Sequence, residues 1–128
     1  MIPELTPVEY RDGVYLKRDD LYSFGGAHGA KARSCAAFLT GLPIGLTTAT
    51  SRQSVQIGVV ARIGKFLGLP VRCHTPSGRI TPEMQDAVDH GAELVQHVAG
   101  YTSVVCARAK ADAARLNYTY IPYGMEHY

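Results

Sequence analysis

From residue 44 onward the hydrophobic pattern switches repeatedly between two periods, and this switching limits the possible folds more than any other feature. Strand-length apolar runs at Ile44 to Thr50, Val71 to Thr75, Glu93 to Val98 and Tyr118 to Ile121 are separated by stretches with helical spacing. In the first of these, Val55 to Leu67, the residues Val55, Val59, Ile63, Phe66 and Leu67 recur at i, i+4, i+8, i+11 and i+12 and predict one apolar helix face. Gly68 stops that helix and Pro70 disfavours a restart. Thr81-Pro82-Glu83 supplies an N-cap, a proline at the first helical position and an acid in the first turn, and the helix ends at His90-Gly91. A third helix spans Thr102 to Leu116. The order β-α-β-α-β-α-β with short connections requires parallel strands with helices on the sheet faces. The expected fold class is α/β, a small, mostly parallel sheet flanked by helices in three layers.

The first 43 residues follow another pattern. A turn at Asp12-Gly13 leads into an alternating, strand-like run, Val14 to Arg18, which Asp19 and Asp20 close. The glycine-rich run Gly25-Gly26-Ala27-His28-Gly29 then opens onto an alanine-rich helical stretch, Ala30 to Leu39. At 128 residues and 13.9 kDa the chain has the size of one domain, with a lysine-loop segment at 1–43 and the alternating unit at 44–121. Its 46% hydrophobic and 19% charged residues suffice for a buried core. Thirteen basic against eleven acidic residues, a net charge of +2, give no footprint for nucleic acid. With no apolar run of spanning length and no signal-peptide profile in Met1-Ile2-Pro3-Glu4, a cytoplasmic chain without a membrane partner is expected. Cys35, Cys73 and Cys106 lie too far apart for a CxxC pair and read as small buried hydrophobes. Cys73 and His74 are neighbours in a strand, so they face opposite ways; the histidine and cysteine spacings define no metal site.

Two places offer chemistry. Lys31 lies in the first turn of a helix, where the positive end of the dipole, the nearby Arg33 and any burial would all lower its pKa. A neutral lysine attacks aldehydes; the plain alternative is a solvated surface lysine. Neither a P-loop nor a GxGxxG fingerprint surrounds it, so the glycine run is either a flexible connection or an anion cradle. The second place is the strand-to-helix turn Ser51-Arg52-Gln53-Ser54, suited to a substrate carboxylate or simply to capping. In such sheets ligands bind beyond the carboxyl ends of the strands, where this turn falls.

The run Tyr15-Leu16-Lys17-Arg18-Asp19-Asp20-Leu21, then Gly25-Gly26 and Lys31-Ala32-Arg33, together with Leu67-Gly68-Leu69-Pro70 and Gly91-Ala92-Glu93-Leu94-Val95, resembles the fold-type II pyridoxal-phosphate enzymes. That family includes the tryptophan synthase beta subunit, threonine dehydratase, D-cysteine desulfhydrase and aminocyclopropane-carboxylate deaminase. The resemblance implies amino-acid elimination or deamination with pyridoxal phosphate, with Lys31 as the Schiff-base lysine. Ser54 would match the turn serine that approaches substrate, with Ser51 and Arg52 as its companions in substrate binding. Val55 stands where the family has an asparagine that hydrogen-bonds the cofactor's phenolic oxygen; valine cannot do so, and Gln53 is the substitute within reach. The family's phosphate loop lies in a later part of its longer chains, so this chain is expected to hold half a site and to bind the cofactor weakly or not at all alone. Two other readings remain: a truncated or repurposed non-catalytic domain that binds a small anion or a protein, and one subunit of a split enzyme. Tyr118, Tyr120, Ile121, Tyr123 and Tyr128 form the expected contact surface, for a homodimer or a partner chain.

Overall fold

The computed structural model describes residues 6–39, 41–98 and 100–125. Its first elements are the antiparallel strands β1 (Val8–Arg11) and β2 (Val14–Lys17), paired so that Tyr10 meets Tyr15. Asp12 and Gly13 turn between them with φ of 47° and 79°, the left-handed pair that a two-residue hairpin of this twist requires. Alternation in Val14 to Arg18 suggests a half-buried strand, yet Val8, Tyr10, Val14 and Tyr15 are 61%, 64%, 56% and 75% exposed. The period is that of a strand; neither face is covered by the described residues. Arg18 fixes the end of the hairpin, donating to Glu9 at 2.7 Å and to both carboxylate oxygens of Asp20 at 2.9 and 2.7 Å.

A second hairpin follows, β3 (Ser23–Phe24) and β4 (Ala27–His28), and then the helix α1 (Ala30–Ala37). The alternating unit comprises β5 (Leu46–Ala49), α2 (Gln56–Leu67), β6 (Val71–Pro76), α3 (Pro82–Asp89), β7 (Glu93–His97), α4 (Thr102–Leu116) and β8 (Thr119–Ile121). The sheet order is β7-β6-β5-β8, parallel throughout. Thr81 caps α3 as its sequence implies, accepting from the Met84 N–H at 3.2 Å. Among the described residues no helix is long and apolar enough to cross a membrane.

The period of two in each strand divides its side chains between two layers. Leu46 of β5 and Cys73 of β6 join Ile57, Ile63 and Met84 in the larger core, beneath α1, α2 and α3. Ala49 faces the other way, into a smaller cluster with Val105 and Ala109 of α4. Cys73 and His74 do point to opposite faces: the thiol lies 4.0 Å from the Ile57 carbonyl, the imidazole beside Asp112 of α4. Cys35 and Cys73 are buried and Cys106 half-buried, as small hydrophobes. Burial pushes the Cys35 and Cys73 thiols up to about 12.

One helix face differs from its sequence pattern. Val55 is the N-cap of α2 and 55% exposed, and Phe66 is 58% exposed. Val59 and Ile63 are buried as the pattern expects, and burial extends beyond it to Gln56, Ile57, Gly58, Val60, Ala61 and Gly64. Because α1 and α3 flank α2 while the sheet lies beneath it, burial wraps most of its circumference and a single stripe understates it. Gly64 permits the close approach to the sheet: a Cβ there would lie 2.1 Å from Cγ2 of Val71.

The C-terminal tyrosines are partly packed and partly exposed. Ile121 is fully buried, Tyr118 lies over Gly45, Tyr120 packs against the α4 cluster, and Tyr123 is 46% exposed. Tyr128 lies outside the described residues.

Candidate functional site

From β5 the chain steps to β6 and β7 on one side, and then crosses over α4 to reach β8 on the other. The direction reverses between β5 and β8, and a parallel sheet leaves a crevice past the carboxyl ends of the two strands at such a reversal. One wall is the Thr50 to Ser54 turn, the other the Pro122 to Gly124 segment.

Gln56, at the start of α2, joins these walls. Its side chain is fully buried, and Nε2 donates to Thr48 Oγ1 and to the Pro122 carbonyl, both at 2.9 Å. Its Oε1 accepts from the Gly124 N–H at 3.0 Å, and Thr48 donates onward to the Ile121 carbonyl at 2.8 Å. A buried carboxamide with both ends bonded fixes the floor of the crevice. The sequence offers for Gln56 only the signal of a polar residue opening the apolar run Ile57 to Ala61.

Of the expected turn residues, Ser51, Arg52 and Ser54 are half-buried and Gln53 is exposed. Ser54 Oγ accepts from the Gln56 N–H at 3.2 Å, which leaves its hydroxyl proton free to donate. Arg52 is drawn away into the neighbouring loop: Nη1 donates to the Arg79 carbonyl at 3.2 Å, and its guanidinium covers Gly78, where a Cβ would lie 2.6 Å from Nη1. The Arg52 carbonyl accepts from Thr81 Oγ1 at 2.5 Å, so the loops after β5 and β6 are tied together.

Lys31 is the second residue of α1, at the helix N-terminus. It is exposed, so the burial invoked for it is not there, and among the described residues its ammonium has no hydrogen-bond or ion-pair partner. The glycine run before it is divided. Gly25 and Gly26, with φ of 60° and 82°, form the tight turn between β3 and β4, and only Gly29, with φ of 90°, stands at the helix start. The run is therefore mainly a hairpin turn. Gly25 also backs onto α2, where a Cβ would come 3.0 Å from Cβ of Phe66.

The structure adds a cluster that no sequence spacing announced. On the α4 face His74, 2% exposed, has Nε2 2.9 Å from Asp112 Oδ2 and Nδ1 2.8 Å from His97 Nε2. The two imidazoles lie edge to edge in nearly one plane, 9° from parallel with centroids 5.1 Å apart, as a hydrogen bond between ring nitrogens requires. Asp112 also accepts from Arg72 Nε and Arg115 Nη2, each at 2.6 Å. Burial resists ionisation of Asp112, but the donors Arg72, Arg115 and His74 outweigh it and take its pKa down to about 2. Burial lowers the pKa of His74 against the pull of Asp112, and burial, the repulsion a protonated His74 would exert and the charge of Arg108 lower that of His97. The available signal was the placement of Arg72 and His74 two apart in a buried strand, on one face.

No family model matches the chain, and no curated protein matches it. Solved structures do. An ACC deaminase homologue superposes with a TM-score of 0.68 at 22% identity, over 97% of this chain and 43% of that one. A pyridoxal 5'-phosphate-dependent aspartate racemase gives 0.58 at 20% identity, over 91% of this chain and 39% of that one. A threonine deaminase from T.th. gives 0.57 at 24% identity, over 72% of this chain and 28% of that one. Against diaminopropionate ammonia lyase from Escherichia coli the chain spans as little as 20% of the other's length. In each of these cases it corresponds to less than half of the matched protein. The parallel sheet and its helices thus share the fold of part of these fold-type II pyridoxal-phosphate enzymes.

Proposed function

We propose that this chain is the lysine-bearing part of a pyridoxal-phosphate-dependent amino-acid lyase or deaminase. The observation that carries the reading is an exposed Lys31, without a partner among the described residues, on the first turn of α1, in a chain that superposes over 97% of its length on an ACC deaminase homologue. Its residues suit the aldehyde end of the cofactor and not its phosphate. Gly25 and Gly26 are committed to a hairpin, Gly68 and Gly91 to helix ends and Gly78 to Arg52, and the reading takes the phosphate contacts from other protein.

Pyridoxal phosphate, when bound, supplies an electron sink for the bonds at a substrate α-carbon. Lys31 would hold its aldehyde and then carry a proton to and from that carbon. Ser51 and Ser54 would donate to the substrate carboxylate from the turn after β5, and Gln53 is free to reach the cofactor's ring oxygen. Arg52 keeps the turn in place through Arg79 and Gly78. The reading includes a second copy or another polypeptide to complete the site. The uncovered hairpin, with Tyr10 and Tyr15 exposed by 64% and 75%, favours that partnership, as does the half-exposed Tyr123 near the crevice.

The test is reduction with borohydride after incubation with pyridoxal phosphate, followed by peptide mass mapping. Lys31 is expected to take the label in preference to Lys17, Lys65 and Lys110, and Lys31→Arg to abolish that preference. Equal labelling of the four lysines refutes the assignment. Stoichiometric, tight binding by a monomer refutes the half-site reading.

A further inference from the structure

The His74–His97 pair lies on the α4 face of the sheet and takes no part in the crevice chemistry, yet its hydrogen bonds form a directed chain. Asp112 is a carboxylate and accepts only, so His74 Nε2 must carry a proton and donate to it. His74 Nδ1 is then an acceptor, and the N–H at His97 Nε2 donates to it. That leaves His97 Nδ1 as an acceptor, facing Arg108 Nη1 at 3.4 Å. Donation thus runs Arg108 to His97 to His74 to Asp112, and it exists only while both imidazoles are neutral. A proton added to His74 Nδ1 opposes the N–H of His97, or drives that proton to His97 Nδ1, where it opposes Arg108; one added to His97 Nδ1 opposes Arg108 directly.

We propose that this chain of hydrogen bonds is an acid-sensitive latch, holding β6, β7 and α4 together near neutral pH and releasing the β7 edge and α4 on mild acidification. The charged groups around it come from all three elements: Arg72 from β6, Glu93 from β7, and Arg108, Asp112 and Arg115 from α4. The neighbouring strand β5 faces the same side with the uncharged Thr47 and Ala49. Arg72 and Arg115 already occupy Asp112, which limits what its carboxylate returns to a protonated His74. His97 is half-buried and gives solvent protons a way in.

The direction of the pH effect follows from linkage. Both imidazoles have folded pKa values below the ordinary 6.5, so between those values the unfolded chain binds more protons. The latch's stability is complete above about 6.5 and is lost as pH falls through the lowered folded values. A tenfold weaker hold on the proton in the folded state gives about a tenfold change in the folding equilibrium. Because α4 leads directly into β8, its loosening reaches one wall of the crevice.

Three measurements on the intact chain test the latch. Histidine NMR titration of the unmodified protein should give His74 and His97 pKa values below 6.5, with His97→Gln used for assignment. Amide exchange, corrected for its intrinsic pH dependence, should accelerate about tenfold or more in β7 and α4 between about pH 7 and 5 and leave α3 unchanged. The urea midpoint of His97→Gln, which keeps a donor toward His74, should fall less on acidification than that of the unmodified protein. Titration of His97 at or above about 6.5, uniform acceleration across α3 and α4, or identical pH profiles of the two proteins would overturn the proposal. If His97→Gln fails to fold, the exchange pattern and the unassigned titration of the unmodified protein still decide it: no imidazole titrating below about 6.5 ends the idea.

Discussion

Replacing Gln56 by methionine, close to it in length and volume, removes its carboxamide with little change in shape. Two backbone groups lose their partners: the Pro122 carbonyl, 2.9 Å from Nε2, and the Gly124 N–H, 3.0 Å from Oε1. Thr48 keeps its bond to the Ile121 carbonyl, so its hydroxyl is not orphaned. Each abandoned backbone group costs about 1–3 kcal/mol if no water reaches it. The thioether recovers part of this, because its apolar atoms replace a desolvated amide in a fully buried position. A net loss of about 2–4 kcal/mol in urea or guanidinium denaturation is expected. The loss should be accompanied by faster exchange of the Gly124 amide, because its acceptor is gone. Gln56→Glu should be worse than Gln56→Met at neutral pH, since a charge would face the Pro122 carbonyl and Thr48 without a cation. A Gln56→Met protein within about 0.5 kcal/mol of the original, with Gly124 equally protected, would show that the carboxamide does not hold the two walls together.

Gly64→Ala should destabilise the chain despite alanine's advantage of about 1 kcal/mol in a helix. The new Cβ would meet Val71 Cγ2 at 2.1 Å, a gap that overpacking at about 1–3 kcal/mol must resolve, and Val71→Ala combined with it should recover part of the loss. Thiol titration of the folded protein at about pH 8 should find one reactive cysteine, Cys106, and two that react only on unfolding, because burial pushes Cys35 and Cys73 up to about 12. Fast modification of all three under native conditions would contradict the packing of α1 and β6.

Much of the fold is a local property of the sequence. Hydrophobic period separates strands from helices, Thr81 and Pro82 start α3, and Gly68 and Asn117 end α2 and α4 in left-handed conformations. These signals act over a few residues, and the observed elements begin and end within about two residues of where they point. The parallel direction follows as well, because a helix between successive strands carries the chain back to the same end of the sheet. Lys31 at a helix start and Ser54 at a strand-to-helix turn were legible for the same reason.

What the period does not carry is the identity of a partner. It assigns Cys73 and His74 to opposite faces, but only the packing of α4 brings Asp112, 38 residues away, to His74, and only strand pairing brings His97, 23 residues away. The alternation in Val14 to Arg18 is that of a strand whether or not anything covers it, and its exposure is decided by the rest of the molecule. Gln56 reads as one polar residue in an apolar helix until β8 and the segment after it close around it, offering a carbonyl and an amide 66 and 68 residues distant. Glycines divide in the same way. A dipeptide such as Gly25-Gly26 permits either a phosphate loop or a hairpin, and the choice fell to Phe24 and Ala27 pairing across it. Local sequence sets backbone direction and side-chain facing through sterics of a few residues, whereas buried polar groups are satisfied by whichever distant group the packed layers bring within about 3 Å.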